Sequence, residues 1–205
     1  MFAITADQID SRHGPDLADG ALGLLARVGG ARLALPADRT AGDEVQAITD
    51  DPRAALELIL ELARTEQWSI GLGIGAIRTP LPADTRAATG PALIAARDAV
   101  ESAKKRPSRA AVAGSGIRPD AATLQATLEL LLQLRDRRSA EGWELYDLVE
   151  SGLTQAEAAI ELGITPQAAS KRAIAAGLRL DSAAREALTA LLSLAGETID
   201  AEGNA

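Results

Sequence analysis

LTQAEAAIELGITPQAASKRAIAAGL, residues 153–178, is the stretch whose reading decides this fold. Thr154 stands where a helix N-cap belongs, and Glu157 follows three residues later. That is the reciprocal capping-box spacing, which satisfies two orphan backbone donors. Ala158, Ala159 and Leu162 give the helix one apolar face. Gly163 suits the left-handed conformation that ends a helix, and Ile164 plugs the turn. Thr165 then caps a second helix whose first position is Pro166, where a missing N–H costs nothing. This helix carries Gln167, Ser170, Lys171 and Arg172, meets no acid before Asp181, and can stop at Gly177. Two short helices, small residues at their crossing and a polar-basic second helix predict a helix-turn-helix. An ordinary helical hairpin is the plainer alternative.

Composition bounds what surrounds this module. A chain of 205 residues fits one large domain or two small ones. Hydrophobic content is 47% and aromatic content 2%, so the core must be built from Ala, Leu, Ile and Val. With no cysteine, disulfides, thiolate metal sites and Cys nucleophiles are excluded. MFAITADQID has neither the basic segment nor the apolar run of a signal peptide. No stretch approaches the roughly 18–20 uncharged apolar residues of a membrane span. A cytoplasmic location is the expectation, with no membrane partner. Net charge is −8, which argues against a nonspecific nucleic-acid coat. Residues 1–116 hold 13 Lys/Arg against 15 Asp/Glu, whereas residues 117–205 hold 8 against 14. The half with the proposed DNA reader is the more acidic one. Phosphate contacts supply much of protein–DNA affinity, so modest, salt-sensitive binding that depends on dimerisation is expected.

Upstream, FAITADQID reads as a short strand ending near Asp7, and DLADGALGLLARV as a helix weakened by Gly20 and Gly23. Leu33 and Leu35, a turn at Thr40–Asp43, then Val45 and Ile48 predict a hairpin. Asp50 or Asp51 with Pro52 opens a helix whose apolar face is Leu56, Ile59, Leu60 and Ala63. WSIGLGIGAI alternates large apolar residues with glycine, so something packs or binds closely over one face. Gly90-Pro91 opens another helix that ends in cations, and SRAAVAG is a last strand. The order β-α-β-β-α-β, then α-β, predicts a ferredoxin-like α+β sheet with its helices on one face. From residue 119 the pattern is all helix. Leu124, Leu128, Leu131, Leu132 and Arg135 share one side of the first helix. Ala187, Leu188, Leu191, Leu192 and Leu194 stripe the last. The boundary is expected near 114–119, giving domains 1–116 and 117–205. The final EGNA should fray.

Two carboxylates frame the candidate chemistry. Asp7 ends the first strand and Asp43 sits in the hairpin turn, so the expected sheet order brings them near one another. Paired carboxylates suit Mg²⁺ with substrate phosphates, although an acidic turn beside a solvated strand end is an equal reading. Gly90 at a helix start offers a phosphate-facing terminus or a plain cap. His13, the single histidine, lacks a ligand partner, and Ser115 lacks the context of a nucleophile. Arg135, Arg137 and Arg138 read as a solvated or phosphate-reaching face.

TADQIDSR, AGDEVQAI, GLGIGAI and GPALIAARDAV, in that order, resemble the SatD-like family of bacterial proteins. They resemble more distantly the class III nucleotide cyclase and GGDEF domains. The cyclase-like likeness covers roughly residues 2–113. With the helix-turn-helix, the SatD-like likeness spans most of the chain. The resemblance implies metal positions at Asp7 and Asp43, and Ala95-Ala96-Arg97 matches the end of the cyclase helix pattern. It implies Arg97 as a nucleotide-binding residue, beside Gly90 as the candidate phosphate-facing helix start, with Mg²⁺ and a nucleotide as cofactors. Leu93 stands where an active cyclase has an Asn that positions the ribose, and no purine-selecting Lys/Asp pair is evident. The sequence therefore reads as a cyclase-like N-terminal domain without cyclase chemistry, joined to an all-α, (winged-)helix-turn-helix domain.

The leading expectation is a transcription regulator that binds double-stranded DNA as a homodimer. Gln167, Ser170, Lys171 and Arg172 would contact bases or phosphates, and Thr165 a phosphate. The leucine-rich helices either build the dimer or bury within their own domain. The alternatives are an Mg-dependent nucleotide-binding or nucleotide-processing enzyme, and an adaptor whose helix-turn-helix binds protein.

Overall fold

The computed structural model describes residues 1–40 and 42–203. Ala41, in the turn expected at Thr40–Asp43, and the last two residues of the expected frayed end lie outside that range. The protein is mixed α+β, with one five-stranded sheet and eight helices among the described residues. The first part runs β1 (Phe2–Gln8), α1 (Ala18–Gly29), β2 (Leu33–Arg39), β3 (Glu44–Thr49), α2 (Pro52–Arg64), β4 (Trp68–Ile74), α3 (Pro91–Ala103) and β5 (Ala110–Gly114). The helices α4 (Ala121–Asp136), α5 (Ala140–Glu150), α6 (Gln155–Glu161), α7 (Pro166–Ala175) and α8 (Leu178–Gly203) follow. None of the helices is long and apolar enough to cross a membrane.

The chain divides into two compact units, Met1–Glu129 with Leu188–Ala205, and Leu130–Ala187. This differs from a single cut near 116, because the start of α4 and the later half of α8 belong to the first unit. Local packing gives the reason. Gln125 of α4 accepts from the Val112 amide and donates to the Ala110 carbonyl, closing the outer edge of β5. A Cβ on Gly196 of α8 would lie 3.3 Å from the Phe2 ring. Leu124, Leu128, Leu131, Leu132, Leu188 and Leu192 are buried within the chain. Ala187 and Leu194, expected on the α8 stripe, are exposed, and Ala195 is buried in their place.

In the first unit the sheet order is β2-β3-β1-β4-β5. β1 is antiparallel to β3 and β4, β2 is antiparallel to β3, and β5 is parallel to β4. One face carries Phe2, Ile4 and Ala6 of β1 beside Ile74, Leu72 and Ile70 of β4, all buried. α1 lies on this face: Gln8 receives the Leu17 amide and donates to the Pro15 carbonyl, and Gly29 meets Leu33. α2 packs on α1. Asp51 caps α2 by accepting from Arg53 and Ala54, with Pro52 at its start.

α3 lies on the opposite face, which corrects the expectation of helices on one side only. A Cβ on Gly71 or Gly73 would overlap the α3 backbone at Ala92, Ala96 and Val100, so these glycines let the helix nest directly on β4. Ala3, Ile48, Ile77, Ala92, Leu93 and Ala96 form the core beneath it. α2 and α3 each carry the chain from one strand to a parallel strand farther in the same direction. Because they lie on opposite faces, their two crossovers have opposite hands, and one has the rare left hand.

Candidate functional site

The two helices that organise the second unit form as their caps dictate. Thr154 Oγ1 accepts from the Glu157 amide at 3.3 Å, and the Glu157 carboxylate accepts from the Thr154 amide at 2.7 Å. That backbone hydrogen bond, with a second from the Thr154 hydroxyl, holds the Glu157 carboxyl below its ordinary pKa. Gly163 takes φ 63°, and the Ile164 amide bonds the Ala159 carbonyl at 3.0 Å, closing α6 with a Schellman turn. Thr165 Oγ1 accepts from the Ala168 amide at 3.2 Å, and Pro166 opens α7. Ala158 of α6 and Ala173 of α7 bury against Leu145 of α5, with Leu148, Val149, Leu162 and Leu178 around them.

This packing fixes which side of α7 faces out. Ala169 and Ala173 are buried, whereas Gln167, Ser170, Lys171 and Ile174 are exposed. Their spacing of three and four residues places them in one row along the helix. Thr165 is exposed at its head. Arg172 does not join the row. Its Nη1 lies 3.5 Å from Glu144 Oε2 and 3.4 Å from the Glu141 carbonyl, turning the guanidinium back onto α5. Of the five residues expected to touch DNA, Gln167, Ser170 and Lys171 share this row, and Thr165 is exposed at the start of the helix. Ile174, 77% exposed, extends that surface and was not singled out in the sequence. Its phase, seven residues after Gln167, was the available signal.

Behind α7 lies a buried charge network. Asp181 is fully buried; its Oδ1 accepts from Arg138 Nη2 at 2.9 Å and lies 3.4 Å from Arg135 Nη1. Arg185 Nε is 2.9 Å from Asp181 Oδ2, and the same guanidinium grips Glu150 with two bonds of 2.9 and 2.6 Å. Arg138 Nε also donates to the Ala176 carbonyl at the end of α7. The Arg138 guanidinium sits 4.3 Å from the Trp143 ring centre and 4.5 Å from that of Tyr146. Burial pushes the Arg138 pKa down, and Asp181 opposes this. Arg135 and Arg138 are thus interior residues, which corrects their reading as a solvated or phosphate-reaching face.

Of the residues expected to hold a metal and nucleotide, Asp7, Gly90 and Arg97 are spread along α3, and Asp43 lies in the β2–β3 turn. Asp7 lies on the α3 side of the sheet, and its Oδ2 is 2.8 Å from Lys104 Nζ just past the end of α3. Lys104 also meets Glu101 at 2.7 Å, and hydrogen bonding to Asp7 and then Glu101 raises its pKa. The residue directly across from Asp7 is Glu44; Asp43 lies one position beyond β3 in the turn. Glu44 receives a hydrogen bond from the Thr40 hydroxyl. Among the described residues no group of three or more His, Asp and Glu is placed to hold a metal.

Gly90 stands at the other end of α3, about 20 Å from Lys104 at 1.5 Å per residue. Its φ is 146°, and a Cβ there would press on the backbone at Ala76 and Ile77. Pro91 has no amide to offer. The Ala92 amide bonds the Ala76 carbonyl, and those of Leu93 and Ile94 bond the Gly90 carbonyl. The donors that would face a phosphate are therefore already used. Arg97 is exposed midway along the helix, and Leu93 is packed into the core. The fold does not bring Asp7, Asp43, Gly90 and Arg97 to one ligand. Lys104 was read from sequence only as complementing the helix dipole.

Comparison with protein-family models, curated proteins and solved structures finds no match to this chain.

Proposed function

We propose that the protein is a DNA-binding regulator. In this reading α6 and α7 form a helix-turn-helix that packs on α5, and α7 is the helix that enters the major groove. The observation that carries it is the outward row Gln167, Ser170, Lys171 and Ile174, with Thr165 exposed at the helix start, on a helix whose opposite side is locked by Ala169 and Ala173. The chemistry suits base edges and phosphates. A Gln amide can pair with adenine N6 and N7, an aliphatic side chain can meet a thymine methyl, and Ser and Lys reach phosphate oxygens. Lys171 is the one cation in the row, so affinity is modest and a homodimer reading half-sites roughly 34–36 Å apart strengthens it.

The first unit we read as ferredoxin-like and cyclase-like, in keeping with the SatD-like resemblance. The β-α-β-β-α-β order with β2-β3-β1-β4 antiparallel neighbours supports this. Three observations support a non-catalytic role. Lys104 occupies the Asp7 carboxylate, Leu93 fills a core position, and the amides behind Gly90 are used. Incubation with nucleoside triphosphates and Mg²⁺ or Mn²⁺ should give no turnover. Turnover abolished by Asp43→Asn would overturn that reading and restore a nucleotide-processing enzyme.

A second reading, an adaptor that binds protein through the same helices, is favoured by the exposure of Ile160 and Ile174, 79% and 77%. Selection of duplexes from a random pool at low salt separates the two. Enrichment of a motif, lost in the folded double variant Gln167→Ala with Lys171→Ala, supports DNA reading. Failure to enrich any duplex favours the adaptor.

A further inference from the structure

β4 and β5 are the parallel pair of the sheet, joined through α3. Their carboxyl ends, at Ile74 and Gly114, lie side by side. A groove of about 690 Å³ lies there, between the outer side of α3 and the ends of the two strands. That volume is within the range of small-molecule sites. Ile74, Ile94, Ala95 and Ala113 give it apolar walls, and Asp98 and Ser115 are its polar side chains. Ile94 is 64% exposed, so a large aliphatic side chain stands over the groove with little covering it.

The charge of the lining selects the ligand. No Lys, Arg or His lines the groove, and its one ionisable side chain is the Asp98 carboxylate. The start of α3 adds little attraction for anions, because Pro91 has no amide hydrogen and the amides of Ala92, Leu93 and Ile94 are bonded to protein carbonyls. A phosphate or carboxylate would meet the Asp98 carboxylate with only the Ser115 hydroxyl as a side-chain donor to offset it. An ammonium group would find an opposite charge beside apolar walls.

We propose that this groove binds a small organic cation, a compact apolar body bearing one protonated amine. The body lies against Ile74, Ile94, Ala95 and Ala113, and the ammonium group meets Asp98. The site is separate from α7 and holds whether or not the chain reads DNA.

Calorimetric titration of the full chain with benzylammonium, benzyl alcohol and benzoate tests it. Benzylammonium should bind saturably, and benzoate should not. Asp98→Asn, a surface change that leaves the fold intact, should weaken benzylammonium about fivefold, the scale of an exposed charge pair, and leave the alcohol unchanged. Ile94→Ser should weaken the ammonium and the alcohol alike. Absence of saturable benzylammonium binding, benzoate binding of equal strength, or an affinity unmoved by Asp98→Asn would overturn the proposal.

Discussion

Asp181 is enclosed by the guanidinium groups of Arg135, Arg138 and Arg185, and removing its charge would leave cations buried without their counterion. Breaking one side of a buried ion pair costs roughly 3–5 kcal/mol. Asp181→Asn should therefore lower the urea midpoint steeply, whereas Arg137→Ala, at an exposed neighbour of Arg138, should leave it nearly unchanged. Gly73 is as intolerant for a steric reason: an added methyl overlaps the α3 backbone on one side of a packed sheet. Gly73→Ala should cost about 3 kcal/mol or more in equilibrium unfolding. Glu157 gives a signed pH effect. Its folded pKa lies below the ordinary 4.5, so its contribution is fully present above that value and is lost as pH falls through the folded pKa. The stability gap between the protein and Glu157→Gln should close on acidification. A gap that widened in acid would contradict the capping box.

The elements differ in how much of their placement is local. Helix starts at Asp51, Thr154 and Thr165 and stops at Gly163 and Gly177 were legible because caps and left-handed turns are set within a few residues. The hairpin β2–β3 and the glycines of β4 were legible for the same reason, the latter as a surface awaiting close contact. The face on which α3 settles was not. Equal crossover hands would have put it beside α2, and nothing in α3's own pattern states the exception. Arg135 and Arg138 were misread because their partners, Asp181 and the aromatic pair Trp143 and Tyr146, lie on other helices. Arg172 was placed on the contact surface because its neighbour Lys171 is there; one residue of helical phase turns it to Glu144. α1 offers an element-scale test. Gly20 and Gly23 are exposed and an added Cβ would meet nothing within 4 Å. Gly20→Ala should stabilise the chain by about 0.5–1 kcal/mol, read as a higher thermal midpoint.

At the scale of the whole molecule, net charge −8 and an outward row with one lysine would leave the proposed DNA reading few phosphate contacts. In that proposal base-edge contacts from Gln167 and Ile174 would supply much of the discrimination, and pairing of two copies the strength. Of the candidate metal and nucleotide residues, Asp7 meets Lys104 just past one end of α3 and Gly90 lies at the other. The proposed DNA reading rests on the outward face of α7. Its most direct test is a fluorescence-anisotropy titration of the full chain against a duplex selected from a random pool, repeated across a range of salt. A DNA-reading α7 should give saturable binding that weakens with salt, and a salt slope about 1 smaller in Lys171→Ala at unchanged thermal stability. Gln167→Ala should relax sequence preference with the slope retained. Binding in which neither variant changes affinity, slope or preference, or no retained duplex at low salt, would contradict it.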